Sequence, residues 1–182
     1  MIFLVLYIFA LIMACAIGVR ALWSDYNGMI IPNKLVAALP VTFLLAYLAA
    51  TLAGVEGPFM SPLSHLLSVL VTFGITFVLF SLKIFGAGDS KLITAFSFWF
   101  GLKNLPVFIC YMAFIGGLLG LMALAIKKKK PFENMREGSW IARLQGGEAV
   151  VPYGVAITLG AFFAFLKLGY FAPDSLLMFL GG

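Results

Sequence analysis

Charged residues are scarce in this sequence, which contains 12 basic and 7 acidic residues among its 182 positions. Charged types make up 10% of the chain and apolar types 63%, whereas a soluble globular domain carries roughly 25% charged residues. A soluble chain of this size could not bury so much apolar surface, so the bilayer is the expected solvent. The net charge of +5 does not indicate nucleic-acid binding. The basic residues lie between apolar runs, as do the lysines and arginines that set the orientation of membrane proteins.

Cysteine and histidine are also rare. Cys15 and Cys110 both fall inside apolar runs and form no CxxC pair, so no disulfide framework is expected. His65 is the only histidine, and these three residues cannot supply the usual ligand set of a zinc site. No internal repeat or second domain is visible. The sequence therefore predicts one polytopic membrane domain over residues 1–182, without a metal.

Long apolar runs fill most of the chain. A helix needs about 20 apolar residues to cross about 30 Å of hydrocarbon. Five apolar runs reach this length. A sixth segment, Leu92–Leu102, is shorter and reaches only about 17 Å as a helix, so neighbouring helices must shield it from lipid. We expect an all-α integral membrane protein with six transmembrane helices, of which the fourth is this short one. The other five are Ile2–Trp23, Leu35–Ala53, His65–Leu82, Pro106–Ile126 and Val150–Phe171.

The positions of lysine and arginine predict the orientation. With the N-terminus outside and six crossings, ten of the 12 basic residues lie on the inner side, and only Lys103 and Lys167 lie outside. The positive-inside rule favours this arrangement over its reverse. The longest polar stretch, Lys127–Gly147, is then a cytoplasmic loop. Its first four lysines are interpreted either as an orientation signal or as a contact with anionic lipid head groups.

Two short polar segments lie at the inner ends of predicted spans. The segment from Trp23 to Lys34 contains Asp25, and the segment from Phe85 to Lys91 contains Asp89. These are the only acidic residues expected at span ends on one side, where a carboxylate is costly and usually functional. The remaining acidic residues are predicted outside (Glu56, Asp174) or in the inner loop (Glu133, Glu137, Glu148).

A pair of neighbouring carboxylates has a characteristic chemistry. Two such groups a few ångströms apart cannot both ionise comfortably, so the pair shares a proton. It can activate a water molecule and protonate a leaving amine, which is the chemistry of an aspartic protease. Gly86 and Gly88 precede Asp89, and a backbone without Cβ atoms can adopt positive φ and approach a substrate strand closely.

Each piece of this pattern also has a purely structural interpretation. Asp89 could be the N-cap of a helix. Asp25 could be an interfacial cap or an ion-pair partner of Arg20 or Lys34. The segment Pro32-Asn33 is ordinary turn chemistry. The pairing of the two aspartates on one side of the membrane is therefore the stronger signal.

The order of these motifs resembles the type IV prepilin peptidases, which belong to the GxGD group of intramembrane aspartyl proteases. The resemblance is carried by Asp25 with Ile31-Pro32-Asn33, by Gly86-Ala87-Gly88-Asp89-Ser90-Lys91, and by the late segment Val151-Pro152-Tyr153-Gly154. It covers most of the chain. It implies that Asp25 and Asp89 are the catalytic aspartates. It also implies a set of residues that bind substrate or shape the site: Gly86, Gly88, Lys91, Pro32 and Asn33.

The resemblance also implies a cellular role. Such enzymes lie in the bacterial or archaeal inner membrane and cleave the basic leader from type IV pilin or pseudopilin precursors at the cytoplasmic face. Longer members carry an insertion with two CxxC pairs and N-methylate the new pilin end. Here the first span leads straight into the Asp25 segment, as in short peptidase-only members of Flp or Tad-type pilus systems. This implies no methyl-donor cofactor, no methyltransferase activity, and pilin precursors and membrane lipids as partners.

Other classes of membrane protein remain as alternatives. A proton-coupled transporter would also use intramembrane carboxylates, although at the midplane rather than at one face. A serine intramembrane protease is disfavoured because His65 lies at the outer end of its span, where an interfacial role is expected. A non-enzymatic membrane scaffold is the third alternative. Cleavage of a pilin-like precursor by the purified protein would separate the enzyme from the others.

Overall fold

The computed structural model describes residues 1–55, 59–132, 139–148 and 150–180. All regular secondary structure in this part of the chain is helical, which confirms the predicted all-α class. Glu56, Glu133, Arg136 and Glu137 lie outside the described residues. The helices are α1 (Ile2–Gly28), α2 (Asn33–Leu52), α3 (Pro62–Ser81), α4 (Ala87–Ser97), α5 (Leu105–Lys129), α6 (Trp140–Gln145), α7 (Tyr153–Lys167) and α8 (Pro173–Leu177).

Four described helices are long and apolar enough to cross a membrane, namely α1, α2, α3 and α5. Helix α7 is apolar but has only 15 residues, about 22 Å. It is shorter than the predicted span Val150–Phe171 because it starts only after Pro152 and gives way to a turn at Gly169, where φ is +77°. Helices α6 and α8 were not predicted.

The short fourth segment begins earlier than expected. Helix α4 starts at Ala87 rather than Leu92 and ends at Ser97, so its polar first turn is helical. Similarly, α1 continues to Gly28, past the predicted end at Trp23, because no helix-breaking residue precedes Gly28. Both aspartates are therefore held inside helices.

The apolar core lies where α1, α2, α4, α5 and α7 meet. Tyr7 donates a hydrogen bond of 2.9 Å to the carbonyl of Tyr170, and Tyr170 in turn contacts the carbonyl of Trp99. Gly160 lets α7 approach α5 closely, since a Cβ there would lie 2.7 Å from the backbone of Met112. These contacts fix α7 against the rest of the bundle, and α7 carries part of the site described below.

Helix α3 packs differently from the others. It contacts α4, and all of its buried residues are polar, whereas its leucines and phenylalanines face outward. Ser68 Oγ donates to the carbonyl of Ser97 at 3.1 Å, and Ser90 Oγ donates to the carbonyl of Thr76 at 3.3 Å. The hydroxyls of Thr76 and Thr94 also lie 3.4 Å apart, whereas the buried hydroxyl of Thr72 has no partner among the described residues. We refer to the hydroxyl side chains of this interface, bonded or not, as the hydroxyl ladder: Ser68, Thr72, Thr76, Ser90, Thr94 and Ser97.

His65 is part of the interior rather than of the membrane surface. Its side chain is 3% exposed. Its ring nitrogens lie 2.8 Å from the carbonyl of Phe98 and 3.0 Å from the backbone amide of Met60, and its ring packs on Phe43 at 4.8 Å between centroids. His65 therefore does not have the interfacial role expected from the sequence. Its contacts instead hold the start of α3 against the end of α4.

Candidate active site

Asp25 lies in the last turn of α1, and only 4% of its surface is exposed. It is not a helix cap, because the helix continues to Gly28 and Met29 is the C-cap. Within the described residues it forms no salt bridge with Arg20 or Lys34. Neither structural interpretation of Asp25 is therefore observed, and its carboxylate has a different partner.

That partner is the start of α7. The backbone amide of Gly154, the second residue of α7, donates a hydrogen bond of 2.8 Å to Oδ2 of Asp25. The first amides of a helix have no partner within it, and the positive end of the helix dipole favours a negative charge there. Helix α7 thus presents a donor to a carboxylate that is otherwise buried among apolar residues.

Gly154 is suited to this contact because it has no side chain. A Cβ at this position would lie 2.9 Å from Oδ2 and 3.0 Å from Cβ of Asp25. Such distances are too short for ordinary carbon contacts, so a larger residue would push the carboxylate away. In the sequence, Gly154 stands out only as part of the motif Val151-Pro152-Tyr153-Gly154. The one local feature that could have indicated its contact with a carboxylate is its position directly after Pro152-Tyr153, at the start of an apolar helix.

Asp89 is the third residue of α4 and is partly buried. The N-cap is Gly86, so the interpretation of Asp89 as an N-cap is wrong. Ile31, which follows α1, lies against Gly88, and Phe85 packs on Tyr153, the residue before Gly154. The start of α4 therefore lies next to the start of α7, where Gly154 binds Asp25. The pairing of the two carboxylates themselves stays a prediction.

Packing explains why the two positions before Asp89, 86 and 88, are occupied by glycine. Neither Gly86 nor Gly88 has a positive φ, so the expected left-handed backbone is not observed. A Cβ on Gly86 would lie 3.0 Å from Oδ2 of Asp89, and a Cβ on Gly88 would lie 3.4 Å from the side chain of Ile31. Gly86 leaves room for the carboxylate, and Gly88 lets the segment before α2 pack onto α4.

Tyr153 is a further residue of the site that the sequence analysis did not assign a role. Its ring packs against Phe85, four residues before Asp89, at 5.4 Å between centroids. The phenol fills the space above Gly116 of α5, where a Cβ would overlap it. Tyr153 therefore forms a wall between the Asp89 segment and α5.

The remaining predicted residues join α2 to α4. Pro32 is the N-cap of α2 and Asn33 its first residue. Lys91 Nζ donates to Oδ1 of Asn33 at 3.2 Å. This exposed hydrogen bond, which we name the α2–α4 tie, involves a residue two positions after Asp89. Pro32, Asn33 and Lys91 therefore border the site, and among the described residues none of them hydrogen-bonds to either carboxylate.

Helix α6 covers the end of α1 next to Asp25. Ser139 caps α6 by accepting from the amide of Ala142, and Trp140 packs edge-on against Tyr26 at 5.9 Å between centroids. Trp140 and Leu144 form a small separate core with Ala123 of α5. The loop predicted over Lys127–Gly147 thus includes a helix that shields this side of the site.

Within the described residues, no group of three histidine, cysteine or acidic side chains could hold a metal ion. The polar groups that the structure does place here are a buried carboxylate, the amide that it accepts from and a tyrosine. Together with four helices long and apolar enough to cross a membrane, they place the chain in the class of helical membrane proteins with a carboxylate buried at the end of a helix.

The comparison with known families agrees with this class. The type IV leader peptidase family model matches residues 4–121, well over half of the chain. The chain belongs to that family, which indicates an aspartic peptidase. The match includes Asp25 and Asp89 and ends within α5, so Tyr153 and Gly154 lie beyond it. No curated protein and no solved structure matches the chain.

Proposed function

We propose that this protein is an intramembrane aspartyl endopeptidase that removes the basic leader from type IV pilin-like precursors at the cytoplasmic membrane face. Its catalytic residues are Asp25 and Asp89. The observation that carries the proposal is the hydrogen bond from the amide of Gly154, at the start of α7, to the buried carboxylate of Asp25. It is supported by the position of Asp89 in the first turn of α4, where Phe85 packs on Tyr153. Family membership supports the same reaction.

In the proposed mechanism the two carboxylates act as a coupled catalytic pair. One takes a proton from a water molecule as that water attacks the scissile carbonyl. The other, protonated, polarises the carbonyl and later protonates the leaving amine. The hydrogen bond from Gly154 stabilises negative charge on Asp25, but a coupled pair titrates as a unit, so the two roles are not divided between the residues.

The proposed topology has six crossings of a single domain over residues 1–182, in a bacterial or archaeal inner membrane, with the N-terminus outside. Asp25 and Asp89 then lie near the inner surface, where a basic leader meets the apolar helix of a precursor. The distribution of basic residues supports this orientation. Cysteines introduced at Lys130 and Lys103, in a chain without Cys15 and Cys110, should react from the inside and the outside respectively. The reverse labelling would contradict the topology.

The decisive experiment is cleavage of a purified pilin-like precursor by the purified protein in lipid. The wild-type protein should cut at the junction between leader and helix, and Asp25→Asn and Asp89→Asn should not. Asp174→Asn is the matched control, because Asp174 is an exposed acid in the first turn of α8. A transporter or scaffold would leave the precursor intact with every variant, and cleavage by either Asn variant would remove that aspartate from the mechanism.

A further inference from the structure

A lateral groove opens between α2 and α3, with α4 as its floor. Its volume is about 480 Å³. One wall includes Ala37 and Pro40 of α2, and the other includes Phe73, Phe77 and Phe80 of α3. We refer to this space as the lateral groove. It is apolar, and in a membrane it would be open to lipid along its length.

The lateral groove leads to the proposed reaction centre. Its floor follows one face of α4 from Phe98 to Ser90 and Ala87, in the same helical turn as Asp89. The segment that joins the end of the groove to that carboxylate is Gly86-Ala87-Gly88, whose largest side chain is a methyl group. This turn therefore offers little steric resistance to a chain that leaves the groove, apart from Ile31, which packs on Gly88.

The chemistry of the lining changes along the groove. Phenylalanine and proline dominate the part beside α2 and α3, whereas the end next to Asp89 carries Ser90 and the single charged lining residue, Lys91. An occupant must thus be apolar over most of its length and more polar where it approaches Asp89. A helix that continues into an extended, solvated peptide has this pattern.

The packing of α3 explains how such an occupant enters. Helix α3 uses its hydroxyl ladder and His65 to bind α4, which leaves its phenylalanines free. Phe73, Phe77 and Phe80 are 56%, 55% and 44% exposed. Within the part of the chain that the structure describes, about half of each of these side chains is left uncovered, so a transmembrane helix can reach the groove sideways from the bilayer.

We propose that the lateral groove is the docking site for the apolar helix of the precursor, an inference that rests on the proposed function. The helix lies along α4 between α2 and α3, and its cytoplasmic end unwinds across Gly86-Ala87-Gly88 to bring the scissile bond to Asp89. The other side of α4 does not serve this purpose. A second cavity there, beside α1 and α7, includes Cys15, Gly18 and Phe96 but no residue of the first turn of α4.

Site-specific cross-linking tests the docking site directly. A benzophenone derivative of phenylalanine replaces Phe77 in the Asp89→Asn protein, which should retain precursor without cutting it. The matched control carries the same group at Phe114 of α5, an exposed phenylalanine outside the groove lining. We expect a precursor adduct from position 77 and none from position 114. Equal adducts at both positions, or none at position 77, would overturn the proposal.

A cleavage assay tests whether docking in the groove is productive. Ala37→Trp places a large side chain in the groove and should lower the cleavage rate at low precursor concentration by about tenfold or more, since overfilling a binding space is costly. Ala16→Trp, at an exposed alanine of α1, should leave the rate unchanged. Unchanged cleavage by Ala37→Trp would contradict the inference. If the wild-type protein cleaves no precursor, the proposed function fails, while the adducts still report on the groove.

Discussion

The backbone amide of Gly154 lies 2.8 Å from Oδ2 of Asp25, although 129 residues separate the two positions in the chain. This hydrogen bond joins the last turn of α1 to the first turn of α7. The donor to this buried carboxylate is a backbone amide rather than a side chain. The position of the Asp25 carboxylate therefore depends on how closely α7 packs against α1.

Gly154→Ala should reduce precursor cleavage by about 100-fold, the loss expected when a reacting group moves by about 1 Å. The added Cβ would lie 2.9 Å from Oδ2 and 3.2 Å from Cγ of Asp25, so the carboxylate must shift. Initial rates in lipid, at matched protein levels, measure the effect. Gly117→Ala in α5 is the control, since a Cβ there meets nothing within 4 Å. Equal activity of both variants would show that the position of Asp25 tolerates the change.

The two aspartates should behave as one catalytic unit. Asp25→Asn and Asp89→Asn should each lower the rate by at least about a thousandfold, and the double variant should be little worse than either single one. Asparagine keeps the shape of the side chain but cannot take or give the proton. Single-turnover rates of the three variants provide the comparison. Independent, multiplicative losses would argue against a shared proton.

The α2–α4 tie should contribute modestly to activity. Lys91→Met and Asn33→Ala should each lower cleavage by about fivefold or less, because an exposed hydrogen bond contributes little net free energy. The double variant should match the single ones, since each removes the same hydrogen bond of 3.2 Å. Lys103→Met serves as the control for loss of a basic residue. Additive losses would mean that Lys91 and Asn33 act separately, for example on the substrate.

The mature pilin released by this enzyme should carry a free N-terminal amine. The expectation comes from the sequence, which contains two cysteines rather than two CxxC pairs and has no polar insertion before Asp25. Mass spectrometry of pilin matured in cells that contain this enzyme alone is the measurement. An N-methylated terminus that disappears when the gene is deleted would contradict the prediction.

The positions of the apolar helices could be predicted because each is a long apolar run whose length is set by the bilayer. The pairing of Asp25 with Asp89 stays a prediction, which rests on the expectation that both lie at the inner ends of spans. Helix ends were less accurate. Helix α1 extends five residues past Trp23 and α4 starts five residues before Leu92, because polar residues continue a helix wherever no proline or glycine turn interrupts it.

The contacts of Gly154 and Tyr153 could not be predicted from local patterns. Each depends on which helices are neighbours: α7 must lie against α1 for Gly154 to reach Asp25, and against α5 for Tyr153 to reach Gly116. Hydrophobic periodicity gives the length of a span but not its partner. The short helix α6 escaped detection for a different reason, since six residues within a polar stretch carry too little pattern.

The hydroxyl ladder has a consequence for the order in which the protein assembles. Helix α3 buries Ser68, Thr72 and Thr76 and leaves most of its apolar side chains exposed, the reverse of a helix in a water-soluble protein. Partition into the bilayer thus gives α3 its hydrophobic stabilisation before it meets any neighbour. Hydrogen bonding then decides the place and rotation at which it docks. If the residues of the hydroxyl ladder were replaced by alanine, α3 would still insert into the bilayer, but it would not pack against α4 in one defined position.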